Sequence, residues 1–293
     1  MKMNLIMSML AFLGLSCSSQ PAPEKATDNN TLLWEVSGNG LKQPSYFFGT
    51  MHILCAGDAA ISPNFNKVIN KVGQVYFEID MDDLMQMFGG MGAMGMADGK
   101  KLKDLYSEAD YEKVKAYFEQ NGQLPFSMIE NFKPLLLSAM VGEDAMDCPQ
   151  KDGMELRIME LATKRKLEIK GLETMAFQAG IMDSIPYDEQ AKQLLESIDS
   201  AGTQKVQMAQ LVAEYKGQNL DSIEALTKSE EGGVSKYLDL MLYSRNRNWA
   251  EQFGAIAKEK STLFAVGAGH LPGVEGVLNL LRKKGYTLKA MKN

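Results

Sequence analysis

The stretch DGMELRIMELATKRKLEIKGLE (152–173) contains a helix pattern and a strand pattern with no loop between them. Its first part repeats apolar residues at helical spacing, and its last part, LEIKGLE (167–173), has the pattern of a short strand. The same order of helix, glycine turn and strand closes the chain in GVEGVLNLLRKKGYTLKAM (273–291). Helices that lead directly into strands are the building units of α/β proteins, so these stretches indicate that class.

Short runs of β-branched and aromatic residues alternate with helical patterns along the rest of the chain. The predicted strands are 32–38, 45–51, 74–80, 167–173, 262–268 and 286–292. The first two flank GNGLKQP (38–44), whose glycines and proline suit a hairpin connection. Several of the others are almost continuously apolar, as expected of strands that are covered on both faces. The sequence predicts an α/β fold, with α+β as the alternative, in which helices flank a mostly parallel or mixed sheet.

The predicted domain spans 31–293 and carries two helical insertions, near 81–150 and near 187–258. The first insertion begins with a methionine-rich segment, MDDLMQMFGGMGAMGMADGK (81–100). A mobile apolar lid or an adaptable surface for partners is the favoured interpretation. A Cu(I) site built from thioether sulfurs is the alternative.

The N-terminus, MKMNLIMSMLAFLGLSCSSQ (1–20), places a lysine before an apolar stretch that is too short to span a membrane. This pattern predicts a signal peptide over 1–16. A serine directly before Cys17 indicates a bacterial lipoprotein acylated on that cysteine, and a polar, flexible tether over 17–30 follows. The expected location is the bacterial cell envelope, lipid-anchored at the outer membrane or the periplasmic face, with simple secretion as the alternative.

Acylation of Cys17 would leave two further cysteines, Cys55 and Cys148, in an oxidising compartment. An even number of cysteines there permits one disulfide, which would fasten the loop after His52. Two unpaired thiols in the core are the alternative.

The charge distribution argues against one class of partner. The chain carries 31 basic and 37 acidic residues, for a net charge of −6, and has no long run of lysine or arginine. A nucleic-acid-binding protein normally presents a clustered basic face, so we expect no nucleic-acid partner.

The chain has only two histidines, and each lies in a Gly-x-x-His motif after an apolar run. The motifs are Gly49-Thr-Met-His52 and Gly267-Ala-Gly-His270, and Glu78 lies near the end of another predicted strand. The carboxyl ends of parallel strands meet at one edge of a sheet, where α/β proteins bind ligands. We therefore expect both imidazoles and at least one carboxylate to face one cleft.

Two neutral imidazoles and a carboxylate with an open position form a catalytic metal set. A bound divalent ion lowers the pKa of its water toward about 7 and polarises carbonyl groups. The motif glycines, Gly49 and Gly267, would let the backbone turn sharply and let a ligand approach closely. A hydrogen-bonded structural role is the alternative for either histidine.

A resemblance adds to this interpretation. The ordered segments GTMH (49–52), FEID (77–80), LEIKGLET (167–174), SRNRNW (244–249) and AVGAGHLPG (265–273) together resemble the TraB/PrgY/GumN family, which includes the animal Tiki proteases. The similarity covers roughly 31–293. The family is described by two Gly-x-x-His motifs, a glutamate after the first and an arginine before the second.

The resemblance implies roles for individual residues. His52 and His270 would bind a divalent metal, and Glu78 would be the third ligand or the general base. The arginine matches Arg245, with Arg247 as the alternative, and would stabilise an oxyanion or dock a substrate carboxylate.

Two further residues match the family stretch after the fourth predicted strand. Glu173 and Gln178 would support the histidines through hydrogen bonds. A helix-capping role for Glu173 and Thr174 is the alternative.

These observations predict a metal-dependent hydrolase that acts outside the cytoplasm on peptide bonds or related esters and amides. The expected cofactor is Mn, Co or Zn. The alternative is a non-catalytic lipoprotein that binds a peptide or haem in the same cleft, since the wider superfamily is thought to include haem-binding proteins.

Overall fold

The structure is a computed structural model that describes residues 30–122, 124–146, 148, 150–229 and 235–293. The predicted signal peptide (1–16), the acylation site Cys17 and the tether up to residue 29 lie outside the described residues. Within the described part of the chain, no helix is both long and apolar enough to cross a membrane.

A mixed sheet forms the centre of the molecule. Each of its strands begins and ends within one residue of the predicted bounds. The strands are β1 (Leu33–Ser37), β2 (Ser45–Thr50), β3 (Gln74–Ile79), β4 (Glu168–Glu173), β5 (Thr262–Gly267) and β6 (Thr287–Met291). Their order across the sheet is β4-β3-β5-β2-β1-β6. The predicted α/β fold is confirmed, and so is the antiparallel pairing of the first two strands.

The four strands on one side of the sheet, β4, β3, β5 and β2, run parallel to one another. Every residue of β2 is buried, and so are the first five residues of β3 and of β5, because these apolar strands are covered on both faces. The register pairs Thr50 with Gly267 and Ile79 with Glu173. The carboxyl ends of the parallel strands therefore meet at one edge, as expected.

Helices connect and flank the strands. The described α-helices are α1 (Pro63–Ile69), α2 (Leu84–Gly92), α3 (Glu108–Asn121), α4 (Phe126–Ile129), α5 (Pro134–Asp144), α6 (Met154–Lys164), α7 (Met175–Asp183), α8 (Tyr187–Asp199), α9 (Ala201–Lys216), α10 (Leu220–Lys228), α11 (Ser244–Glu259) and α12 (Val277–Lys283). The first starts as its sequence predicts, because the Ser62 side chain accepts a hydrogen bond from the Phe65 N–H and Pro63 occupies the first helical position.

The helical insertions pack partly on their own core. The main apolar cluster surrounds the sheet, whereas a second cluster joins α3, α4, α5 and α8. Its buried members are Met96, Leu102, Val114, Phe118, Phe126, Ile129, Leu137, Val141 and Leu194. The apolar cluster around the sheet therefore supports the sheet edge, and the first insertion packs mainly around the second cluster.

The loop after β2 is fastened to the segment that precedes α6. Cys55 and Cys148 form the predicted disulfide, across a sequence separation of 93 residues. Backbone hydrogen bonds run in both directions between Leu54 and Asp152, and the Ala56 N–H donates to the Gln150 carbonyl. Since α6 begins two residues after Asp152, the histidine loop and the start of this helix form one tied unit.

Candidate functional site

Two buried carboxylates share one arginine at the edge where the parallel strands end. Arg245 Nη2 lies 2.6 Å from Glu78 Oε2, and Arg245 Nε donates to Glu173 Oε2 at 2.9 Å. Gln178 Nε2 donates to both carboxylates, at 3.3 Å to Glu78 and 3.1 Å to Glu173. The structure thus brings these four residues, all named from the sequence, into one hydrogen-bonded network.

Arg245 reaches the carboxylates from the first turn of α11, directly after a π-helical turn over Asp239–Tyr243. Its Nη1 donates to the Met241 carbonyl at 3.0 Å, and its guanidinium lies 4.9 Å from the centre of a Trp249 ring. Arg247 instead lies on the exposed side of the helix and pairs with surface carboxylates. The structure places Arg245, and not Arg247, at the buried carboxylates.

The second Gly-x-x-His motif brings His270 to the same network through a single 3₁₀ turn after β5. His270 Nδ1 lies 2.6 Å from Asn246 Oδ1, and the ring packs against Trp249 with centroids 4.4 Å apart. His270 Nε2 lies 3.3 Å from Arg245 Nη1 and 3.7 Å from Glu78 Oε1. His270 and Glu78 therefore lie together, as the sequence predicts.

The first motif places His52 at the same edge but turns its ring toward another carboxylate. His52 Nδ1 lies 2.7 Å from Oε1 of Glu155, which is in the first turn of α6. The His52 side chain is 65% exposed, whereas that of Glu155 is 8% exposed. The close contact with the Glu155 carboxylate raises the pKa of His52, and the His52 charge acts electrostatically on both Glu78 and His270. Within the described residues, His52 forms no ion pair with Glu78.

The charge states of the buried pair follow from their surroundings. Burial raises the pKa of Glu78, but the attraction of His270 and Arg245 outweighs it and lowers the pKa to about 2. Burial lowers the pKa of His270 to about 3. At neutral pH, Glu78 is therefore a carboxylate, and His270 is a neutral imidazole with a lone pair on one ring nitrogen.

The motif glycines allow close packing. Positive φ angles occur at other glycines, and neither Gly49 nor Gly267 adopts one. A Cβ at Gly49 would lie 2.9 Å from the Leu271 side chain, and one at Gly267 would lie 3.1 Å from Glu78 Oε1. The Gly267 N–H also donates to Glu78 Oε1 at 2.8 Å. The missing side chains thus let the two motifs and the carboxylate approach one another.

The family assignment rests on comparison with known sequences. The model of the TraB/PrgY/gumN family matches residues 32–290. The chain belongs to the TraB/PrgY/gumN family. The family expected from the ordered motifs is thereby confirmed.

Curated relatives of this family member include animal proteases. It is 22% identical to Metalloprotease TIKI2 of Xenopus tropicalis, over 91% of this chain and 61% of that protein. It is also 22% identical to Metalloprotease TIKI1 of Homo sapiens, over 94% of this chain and 64% of that protein. The chain thus spans a little over six tenths of the length of these relatives. No solved structure matches it.

The metalloprotease names of these relatives imply a metal ion, and the donors at this edge fit one in chemical kind. Two ligands about 2.1 Å from a tetrahedral ion lie roughly 3.4 Å apart, close to the 3.7 Å between His270 Nε2 and Glu78 Oε1. Both carboxylate oxygens of Glu155, beside His52, are buried without an aligned hydrogen-bond donor. Among the described residues, however, no three His, Cys, Asp or Glu side chains are grouped so as to hold one ion. His270 of the second motif and Glu78 of β3 form the part of the predicted set that lies together.

Sequence reasoning missed four residues that shape this family member's site. Asn246 and Trp249 contact His270, Glu155 contacts His52, and the Tyr215 hydroxyl donates to the Gly49 carbonyl at 2.9 Å. A signal existed for the first two, because they lie in the same SRNRNW segment as the predicted arginine. The other two lie in helices whose contacts depend on the tertiary fold.

Proposed function

We propose that this family member is a metal-dependent hydrolase that cleaves peptide bonds or related esters and amides. The observation that carries the proposal is the buried group in which neutral His270, anionic Glu78 and Arg245 meet at the carboxyl edge of the parallel strands. The names of the animal relatives support the same reaction class. Ligands of α/β proteins bind at this edge.

His52, Glu78 and His270 would hold the ion in this proposal. When bound, a divalent metal would supply an activated water and polarise the substrate carbonyl. The low pKa of Glu78 makes its carboxylate a weak base, which favours the ligand role over the general-base role. His270 is already neutral, so it has no proton to lose from its free nitrogen before it binds.

Arg245 organises the charges rather than acting as a free oxyanion donor. Each of its guanidinium nitrogens already has a partner among Glu78, Glu173, His270 and the Met241 carbonyl. Removing it would leave two buried carboxylates without their positive counter-charge. The Nη1 group, next to His270 Nε2, is the donor that a ligand at that histidine would meet.

Trp249 and Glu173 keep the site dry and aligned. Trp249 Nε1 donates to Glu173 Oε1 at 2.9 Å while its ring covers His270. Glu173 in turn fixes Arg245 through its other oxygen. This arrangement holds the guanidinium in one place, because every group that touches it is itself hydrogen-bonded.

The test is hydrolysis of a peptide library by the purified full-length protein in the presence of Mn²⁺, Co²⁺ or Zn²⁺. We expect cleavage that chelation abolishes and that His52→Ala and His270→Ala each reduce by at least about 100-fold. Arg247→Ala, at an exposed position, is the matched control and should retain activity. Absence of metal binding, together with peptide or haem binding that survives both histidine changes, would instead favour a non-catalytic binding protein.

We further propose that the protein is anchored in the bacterial cell envelope by acylation of Cys17. The motif before Cys17 and the polar stretch that follows support this location. Cys17→Ser should release the protein from membranes into the soluble fraction. Unchanged membrane fractionation of that variant would contradict the anchor.

A further inference from the structure

Asn246 is buried and uses both ends of its side-chain amide. Its Nδ2 donates to the Glu275 carbonyl at 2.9 Å, so the end that faces His270 Nδ1, at 2.6 Å, is the oxygen. An amide oxygen only accepts hydrogen bonds, and His270 Nδ1 must therefore carry the proton. His270 Nε2 is then the nitrogen with the lone pair. It faces Arg245 Nη1, a group that only donates, at 3.3 Å.

The Nδ1 atom of His52 also faces a hydrogen-bond acceptor, but this acceptor is a carboxylate. A carboxylate also only accepts, so Glu155 Oε1, 2.7 Å from His52 Nδ1, requires a proton on that nitrogen. Glu155 is buried, and neither of its oxygens has an aligned hydrogen-bond donor among the described residues, so the contact with His52 Nδ1 is the close one that this carboxylate makes at Oε1. The remaining nitrogen, Nε2, is the one that becomes available for a ligand when the ring is neutral.

The backbone around Glu155 is built for this contact. The Met154 N–H donates to the Met51 carbonyl at 3.1 Å, which seats the start of α6 on the first motif. A Cβ at Gly153 would lie 2.3 Å from the His52 carbonyl oxygen, so only glycine fits at this helix start. The disulfide and the backbone hydrogen bonds at Leu54 tie the same two segments together.

We propose that Asn246 and Glu155 are positioning residues that hold the two histidines in the Nδ1–H form, so that both present Nε2 to a ligand in the cleft. Metal-binding histidines in proteins commonly donate their other ring N–H to a carboxylate or carbonyl group, which fixes the ring and its tautomer. The identity of that ligand as a divalent metal rests on the proposed function. The two supports differ in charge, since one is a carboxylate and the other a neutral amide.

The test is ¹⁵N NMR of the metal-free, full-length protein labelled at its histidine ring nitrogens. Because the chain has only two histidines, the spectrum contains two rings, and His52→Gln assigns them by leaving one. The His270 ring is read at neutral pH and the His52 ring above its pKa, where each is neutral. We expect the Nδ1–H tautomer for both.

Paired variants separate positioning from mere packing. Asn246→Leu and Glu155→Leu replace the hydrogen-bond acceptor by an apolar side chain of similar volume. Each change should allow the Nε2–H tautomer in the ring that the residue contacts and leave the other ring unchanged. Asn246→Asp and Glu155→Gln keep an acceptor and should preserve the Nδ1–H tautomer. Zn²⁺ affinity, measured by calorimetry, should fall about 10- to 100-fold in each leucine variant and recover in its partner.

An Nε2–H tautomer in the wild-type protein would overturn the inference for that ring, whether or not the variants fold. Leucine variants that keep both the tautomer and the Zn²⁺ affinity of the wild type would also overturn it. The tautomers are read without metal or substrate. A protein that shows the expected tautomers but neither binds metal nor hydrolyses peptides would therefore contradict the proposed function and leave this inference standing.

Discussion

Arg245 illustrates how strongly one residue can depend on its surroundings. The two arginines of SRNRNW lie two residues apart, but Arg245 is buried between two carboxylates and Arg247 is exposed. Arg245→Ala would leave Glu78 and Glu173 charged and buried, whereas Arg247→Ala removes only surface ion pairs. We expect losses of about 3–5 kcal/mol in the free energy of unfolding for the first change and at most about 1 kcal/mol for the second.

Urea unfolding of both variants measures this difference. Similar losses in the two variants would contradict the buried cluster.

The neutral state of His270 gives the metal-free protein a specific pH dependence. Its pKa is about 3 in the folded chain and near 6.5 in the unfolded chain, so the unfolded state binds its proton first as pH falls. The stability from this group is complete above about pH 6.5 and falls below it, by up to about 1.4 kcal/mol per pH unit. Glu78, whose pKa is also lowered, adds to the loss only below the ordinary glutamate pKa of 4.5.

Urea unfolding of matched variants across the window from about pH 6.5 to about pH 4.5 isolates the contribution of the histidine. Asp80, whose pKa is raised to about 6 mainly by burial, also titrates there, but it is common to all the variants. We expect His270→Gln to have a flatter pH dependence than the wild type. His52→Gln should keep the wild-type slope in the lower half of this window, from about pH 5.5 downward, because His52 is protonated there in both the folded and the unfolded chain. Equal slopes in the wild type and in His270→Gln would contradict a buried, neutral imidazole.

At the scale of the elements, the loop after β2 depends on its covalent tie to the segment before α6. Replacing Cys55 and Cys148 together by serine removes a cross-link that closes a loop across a sequence separation of 93 residues. In the chain-entropy account this costs about 4–5 kcal/mol of unfolding free energy, an upper value. The change should also loosen the contact between His52 and Glu155.

Thermal unfolding and thiol labelling test this prediction together. The oxidised, denatured wild type should expose neither thiol to a labelling reagent. Labelling of both cysteines, or a double variant as stable as the wild type, would contradict the tie.

The close approach of the two histidine motifs depends on Gly49. A methyl group there would meet Leu271, Leu32 and the backbone of Ala268 at 2.9–3.2 Å. We expect Gly49→Ala to cost about 1–3 kcal/mol through overpacking. Gly180→Ala, in α7 with nothing within 4 Å, should be neutral or stabilising by up to about 1 kcal/mol. Chemical denaturation compares the pair, and equal effects would contradict the packing role.

The strands were predictable because their apolar runs are continuous and bounded by glycine, proline or polar residues. The strand order was not, since a run such as 262–267 does not state which neighbours it pairs with. No pattern in the sequence predicts the π-helical turn before Arg245 either, yet this turn sets the direction of the guanidinium. Glu155 was missed because its partner, His52, lies about a hundred positions away and meets it only through the tied loop.

At the scale of the whole molecule, one sheet edge collects groups from distant parts of the chain. Glu78 and Glu173 come from two parallel strands, Arg245 from the second insertion and His270 from the turn after β5. The sequence predicted this convergence because parallel strands must end together. It did not predict that His52 would turn toward Glu155, because that depends on how α6 is seated.

The proposed metal site is tested most directly by anomalous diffraction from crystals of the protein soaked with Mn²⁺ or Zn²⁺. We expect a single strong peak at the carboxyl edge of the sheet, bonded to Glu78 and to Nε2 of both His270 and His52. A peak bonded elsewhere, or a well-diffracting soaked crystal with no peak at this edge, would contradict the proposed metal site.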